Sequence, residues 1–314
     1  MSSIVQDWSN WHVAPERGSV AWLRVISWIS LRLGRPAGRV ILHLIAAYYL
    51  LFAPSGRTAS RRYLSRVLER PATWRDIYKH FLCFAATIHD RVYLLNRRFD
   101  LFDIEVFGQK LVLDELKNGS GLLLIGAHVG SFEVIRAIGR SNVDLKIVMA
   151  MYEENARKLN AALRAISQSA HQDVIGLGRV DSMLKLHEHL DQGSLVGMLG
   201  DRTLEGDTMI PVSLFGATAS LPMGAFRMAA VLKRPVLFMV GLYVGGNRYQ
   251  IHFEKIADFS TTPREGRQQD VERAIATFAG LIEKYCRRAP YNWFNFFDVW
   301  QTGTKAPSSE GEAA

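Results

Sequence analysis

The sequence predicts an α/β fold: a mostly parallel central sheet flanked by helices, with an N-terminal membrane-associated helical extension. Three observations point there. From residue 120 onward, short apolar runs alternate with stretches of helical periodicity, the pattern of strands joined by crossover helices. Before residue 116 the chain reads almost entirely as helix. Within that first part, arginines are interleaved with aromatic and aliphatic residues, as a membrane-surface element requires. The expected organisation is a helical membrane-associated region over 1–115, an α/β core over 116–302 and a disordered tail over 303–314, "GTKAPSSEGEAA" after Thr302.

In the first region, 20–33 and 37–53 read as helices separated by "GRPAG", and Pro54-Ser55-Gly56 breaks the second. A basic helix is expected over 57–70, and another from Thr73 to about Asn96. "FDIEVFGQKLVLDEL" looks like a short hairpin turning at Gly108. In the core, "LLLIGAH" (122–128) reads as a buried strand that feeds a helix starting at Phe132. Strand 145–151 precedes a helix from Glu154 to about Ser167, and strand 173–178 precedes helix 180–191. "SLVGMLGD" (194–201) is the next strand, and "PVSLFG" (211–216) a loop or short strand. Helix 222–233 leads to strands 235–243 and 248–254, and 267–289 forms a closing helix.

Composition narrows the function classes. The chain has 314 residues, enough for one large domain or a domain with an extension, and is 48% hydrophobic, which excludes wholesale disorder. The two cysteines, Cys83 and Cys286, have no metal-type or scaffold spacing, which fits a reducing, cytoplasmic-side environment. Residues 1–70 hold ten Arg and no Lys against Asp7, Glu16 and Glu69, so +7 of the net +8 sits there. A nucleic-acid binder would present a basic face without such continuous hydrophobicity, so nucleic acid is not expected as a partner. The longest apolar stretch, Val40–Ala53, is fourteen residues and contains His43, short of the ~20 residues of a full span. A signal peptide fits poorly, because the hydrophobic stretches begin late.

An α/β sheet places its site at the carboxyl ends of its strands. His128 stands at such an end, Gly130 and Ser131 permit a tight turn, and Glu133 falls in the first turn of the following helix. A carboxylate on one imidazole nitrogen fixes the tautomer and leaves the other nitrogen as a base, and Glu133 is expected to be that carboxylate. The chain lacks a G-x-S-x-G elbow and an HEXXH motif, which leaves an acyl-enzyme hydrolase and a zinc protease unsupported. Asp201 reads either as a loop cap or as an acid orienting substrate. Arg202 and Arg179 read either as solvated side chains or as phosphate-binding groups. His80 and His89 suit helix–helix contacts, and Asp90-Arg91 a structural pair or a polar wall beside the acceptor. The aromatic cluster at 291–300 reads as packing, as an interfacial belt or as part of an acyl channel.

These motifs, taken in order, resemble the late acyltransferases of lipid A synthesis, the family that contains the lauroyl and myristoyl transferases. "HVGSFE" matches the H-x4-D/E pattern of the broader acyltransferase group from His128 to Glu133. The family's second block is matched by Asp201, Phe215-Gly216, Pro222 with Gly224, and Pro235-Val236. "APYNWFNFFDVW" resembles the family's closing Pro-x-x-Trp segment, so the likeness runs from about Trp22 to Trp300. The chain carries Asp201-Arg202 where the lipid A enzymes usually carry Asp-Gln. Its "WHVAPERGSVAWLR" and "IHDRVYLLNRR" segments are similar to relatives found with other outer-membrane glycolipids and polyene lipids.

The resemblance implies an acyltransferase at the cytoplasmic face of the bacterial inner membrane. It would move an acyl group from acyl-acyl carrier protein, or acyl-CoA, to a hydroxyl of a membrane lipid, with His128 as base and no cofactor or metal. A lysophospholipid or glycerol-phosphate acyltransferase is the alternative within that chemistry. A catalytically silent membrane-binding homologue is the alternative outside it.

Overall fold

The computed structural model describes residues 20–117, 119–135, 146–152, 174–178, 180–202 and 207–300, without the side chains of 20–27, 29 and 180. Among these residues the expected α/β architecture is present. The helix expected over 154–167 and the tail from 303 lie outside the described residues.

Three helices open the described chain. α1 (Val20–Phe52) is kinked at Gly34, whose φ of 81° and ψ of 167° leave the helical region, and Pro36 follows. The expected pair of helices is therefore one element with a break. α2 spans Pro54–Val67, earlier than expected, because Pro54 starts a helix as readily as it stops one. α3 (Trp74–Leu95) begins with a capping box in which Thr73 and Asp76 satisfy each other's backbone amides.

Next comes β1 (Asp103–Phe107), and here the hairpin expectation fails. Gly108 has the positive φ of a turn, 76°, but it caps a helix, α4 (Gln109–Leu116). β1 instead pairs in parallel with a distant strand, β9 (Arg248–Asp258).

The remaining elements are β2 (Leu122–Gly130), β3 (Ile147–Tyr152), β4 (Val174–Leu177), α5 (Val180–Asp191), β5 (Leu195–Leu199), β6 (Met209–Leu214), β7 (Ala217–Pro222), α6 (Gly224–Leu232), β8 (Pro235–Gly245), β9 and α7 (Arg267–Arg288). The sheet order is β1-β9-β8-β2-β5-β3-β4. β8, β2, β5, β3 and β4 run in one direction, while β9 and β1 run in the other. β6 and β7 form a separate hairpin through Phe215 and Gly216, both at positive φ, so the segment expected as a loop or short strand is a strand.

Both faces of the sheet are buried, as parallel strands require. Leu123, Ile125, Ala127 and Val129 of β2 face α2, α6 and α7, while Leu122 and Leu124 face the other way with Val112 of α4. Tyr63 and Leu64 of α2 and Ile77 and Phe81 of α3 belong to the same core as the sheet's first face. Asp90 of α3 is fully buried and locks α1 to α3 and to the sheet. It accepts from Arg35 Nε (2.8 Å), Arg39 (2.6 Å) and the Tyr249 hydroxyl (2.7 Å). Two of the arginines counted toward a basic surface are thus spent on an internal carboxylate.

Candidate active site

The site forms where β2 leaves regular pairing. Gly126 sits opposite Met239 on β8, but Gly130 sits opposite Gly241, so β2 carries extra residues across this interval. Glycine is required at the far end: Gly130 has φ 69°, and a Cβ there would meet the Gly241 carbonyl oxygen at 2.0 Å. On its other side β2 pairs with β5, and Gly200 donates to the Gly126 carbonyl (2.9 Å). Asp201, the second residue past the end of β5, is thereby delivered beside His128.

His128 Nδ1 lies 2.7 Å from Asp201 Oδ1, and the His128 backbone amide donates to Oδ2 at 3.0 Å. Oδ2 also accepts from Trp293 Nε1 (3.2 Å) and Asn295 Nδ2 (3.1 Å). The 293–295 segment is itself laid along β2: Val129 bridges to Trp293, and Phe294 N donates to His128 O at 2.8 Å. Asp201 is buried, while 28% of the His128 side chain stays exposed, so the imidazole can be reached from outside. An ionised carboxylate only accepts, so Nδ1 carries the hydrogen and Nε2 presents a lone pair.

The electrostatics favour this protonation state. Burial pushes the His128 pKa below its ordinary value; Asp201 opposes that, and the charges of Arg202 and Arg91 add to the lowering. For Asp201 burial acts to raise the pKa, but the charge and hydrogen bond of His128 and the charge of Arg202 outweigh it. The carboxyl is held well below the usual carboxylate range. The pair therefore rests as a neutral base beside an anion.

The glutamate of H-x4-E has a different neighbour from the one expected. Glu133 is buried at the start of the helical turn over 132–135, and its Oε1 lies 3.3 Å from Arg91 Nε of α3. The carboxylate on the imidazole is that of Asp201; Glu133 holds an arginine whose charge reaches the imidazole. Arg202, expected either as a solvated side chain or as a phosphate-binding group, is turned toward the protein. Its Nε donates to Asn295 Oδ1 (2.8 Å), its Nη2 to Phe294 O (2.9 Å), and its guanidinium lies over the Phe297 ring. Burial of that group lowers its pKa, and Asp201 partly restores it. Arg179 lies outside the described residues.

The sequence allowed Arg91 only as a structural pair or a polar wall beside the acceptor, and it gave Trp293 and Asn295 no link to Asp201. The one available signal was Asn295, a polar side chain set within the aromatic run "NWFNFF". His80 supports this segment from behind, with Nδ1 2.8 Å from Ser60 Oγ and Nε2 2.8 Å from Trp293 O.

A carboxylate-held histidine thus stands at the carboxyl edge of a mostly parallel sheet, where α/β folds place their sites. The protein's chemistry follows from its kinship. The chain belongs to the bacterial lipid A biosynthesis acyltransferase family, whose model matches residues 9–302. It is accordingly an acyltransferase of lipid biosynthesis, with an acyl donor and a lipid acceptor. No curated protein matches the chain.

Proposed function

We propose that the protein transfers a fatty acyl group from acyl-acyl carrier protein, or from acyl-CoA, to a hydroxyl of a membrane glycolipid or other membrane lipid. The observation that carries this reading is the 2.7 Å contact between His128 Nδ1 and a buried, ionised Asp201, with the imidazole still partly exposed. His128 Nε2 takes the acceptor's hydroxyl proton as the oxygen attacks the thioester carbonyl. The C–O bond forms and the carbonyl electrons move to oxygen. The tetrahedral intermediate collapses, the C–S bond breaks, and the thiolate leaves with the proton from Nε2. Asp201 balances the imidazolium between these steps. Arg91, held by Glu133, supplies positive charge near the developing oxyanion.

The reaction takes place at the cytoplasmic face of the bacterial inner membrane, with residues 1–115 as the membrane-associated part. Among the described residues no single helix is long and apolar enough to cross a membrane. α1 instead exposes Trp28, Leu33, Val40, Leu44, Leu51 and Phe52, an apolar surface suited to lie in the lipid interface.

The test is His128→Ala, assayed as turnover per folded molecule with an acyl-acyl carrier protein donor beside a thermal melt of the same sample. Transfer should fall by about 10²–10⁴-fold with melting little changed. Normal turnover from a protein that melts early would make His128 a structural residue and overturn the mechanism.

A further inference from the structure

A pocket of mixed polar and apolar lining opens beside the site without including the dyad. Its volume is about 590 Å³, and it is an open pocket bordered by α1, α3, the end of β8 and the segment after α7. None of His128, Asp201, Glu133, Arg91 or Arg202 lines it. Arg39, Lys79 and Arg288 do, and among the described residues no Asp or Glu joins them.

The three cations are not equally committed. Arg39 already pairs with Asp90 at 2.6 Å. Lys79 Nζ sits 5.5 Å from the Tyr291 ring centroid, and Arg288 donates to the neutral amide of Gln250 at 2.8 Å. Among the described residues neither Lys79 nor Arg288 is ion-paired. An open pocket that gathers two cations without an ion-pair partner attracts an anion. Cys83 also lines it, with burial pushing that thiol up to about 12, so it is not a thiolate at neutral pH.

Exposed apolar side chains of α1 next to two of the lining residues bear on what kind of anion fits. Arg39 and His43 line the cavity, and their chain neighbours Val40 and Leu44 are 69% and 72% exposed. A ligand with its charge among Lys79 and Arg288 would lay an apolar portion along α1. A free inorganic anion would leave that surface bare.

We propose that this cavity binds the headgroup of an anionic membrane phospholipid, beside the reacting centre and not as the acyl acceptor. The lipid's phosphate lies among Lys79, Arg288 and Arg39, and its acyl chains run along Val40 and Leu44. A zwitterionic headgroup is disfavoured, because its ammonium would find no carboxylate in the wall. The inference stands apart from the acyl-transfer reading, since it uses no residue of the dyad.

The experiment is calorimetric titration of the detergent-solubilised full-length protein with short-chain phosphatidylglycerol, short-chain phosphatidylcholine and inorganic phosphate. Phosphatidylglycerol should saturate a single site and bind at least ten times more tightly than either comparator. Lys79→Gln and Arg288→Gln should each weaken it about fivefold, the factor expected for one basic residue near an anionic headgroup. Val244→Glu, which places a carboxylate on the exposed rim, should weaken it as well, and His128→Ala should bind normally. Equal affinity for inorganic phosphate, equal affinity for phosphatidylcholine, or indifference to all three cavity variants would overturn the proposal.

Discussion

Replacing Asp201 by Asn tests the dyad more sharply than deleting it, because the hydrogen bonds dictate how the amide must sit. In the native site Oδ2 accepts from three donors, the His128 amide, Trp293 Nε1 and Asn295 Nδ2, whereas Oδ1 faces only His128 Nδ1. An asparagine has one acceptor oxygen. Placing its NH₂ against three donors would leave buried groups unsatisfied at about 1–3 kcal/mol each. Its oxygen therefore takes the Oδ2 position, and its NH₂ faces Nδ1. Nδ1 must then accept, which moves the imidazole hydrogen to Nε2 and removes the lone pair that the proposed mechanism needs to receive the acceptor's proton. The expected result is a fall in kcat of about 10²–10⁴-fold at neutral pH, with the KM for the acyl donor nearly unchanged. Steady-state kinetics with an acyl-acyl carrier protein donor measures it, and a ¹⁵N spectrum of the imidazole reports the tautomer. Activity within threefold of native, or a retained Nδ1–H tautomer, would refute the reasoning.

Two further outcomes follow from burial. His80, His89 and His252 are nearly inaccessible, and burial lowers each pKa to about 4, below the ordinary 6.5. Because the folded values are the lower ones, the unfolded chain binds more protons below pH 6.5, so stability falls as pH drops from there toward 4. Between pH 7 and pH 5 each histidine should remove about 1–2 kcal/mol, and urea unfolding at the two pH values should show it. An unchanged midpoint would mean that these imidazoles are protonated in place. Separately, changing Leu33, Val40 and Leu44 together to Ser should reduce partition into anionic vesicles by about 100-fold or more. Each side chain contributes on the order of 1–2 kcal/mol when its apolar surface leaves water. Sedimentation with vesicles checks this, and undiminished partition would remove α1 as the membrane-contacting surface.

His128 was legible because a fully buried parallel strand reads as an unbroken apolar run, and a polar residue at its end stands out. Its partner was not legible. Glu133 is five residues away in the chain, whereas Asp201 is 73 away and becomes adjacent only because β5 lies next to β2 in the sheet. Strand order is set by tertiary packing and leaves little local trace. The same limit applies to Trp293 and Asn295, whose polar atoms reach Asp201 from within an aromatic run that looks like packing. Gly108 misled for a different reason: a positive φ serves a hairpin turn and the start of a helix equally well. The basic N-terminal segment was read by its net charge, and that sum cannot tell that Arg35 and Arg39 meet a buried Asp90 55 and 51 residues further on.

The clamp of Trp293 and Asn295 on Asp201 has a consequence for how the enzyme comes into being. A ribosome makes the chain from its amino end at about 5–20 residues per second. The strands that carry His128 and Asp201 are therefore synthesised well before the donors that fix Asp201, which lie 92 and 94 residues beyond it. Until that segment arrives, the carboxylate lacks two of the three donors to its Oδ2 and is held by His128 and the β2–β5 pairing alone. α1, with its exposed apolar face, is by then among the oldest parts of the chain. The Asp201 carboxylate is thus fully hydrogen-bonded only once the 293–295 segment is laid along β2, long after α1 has been made.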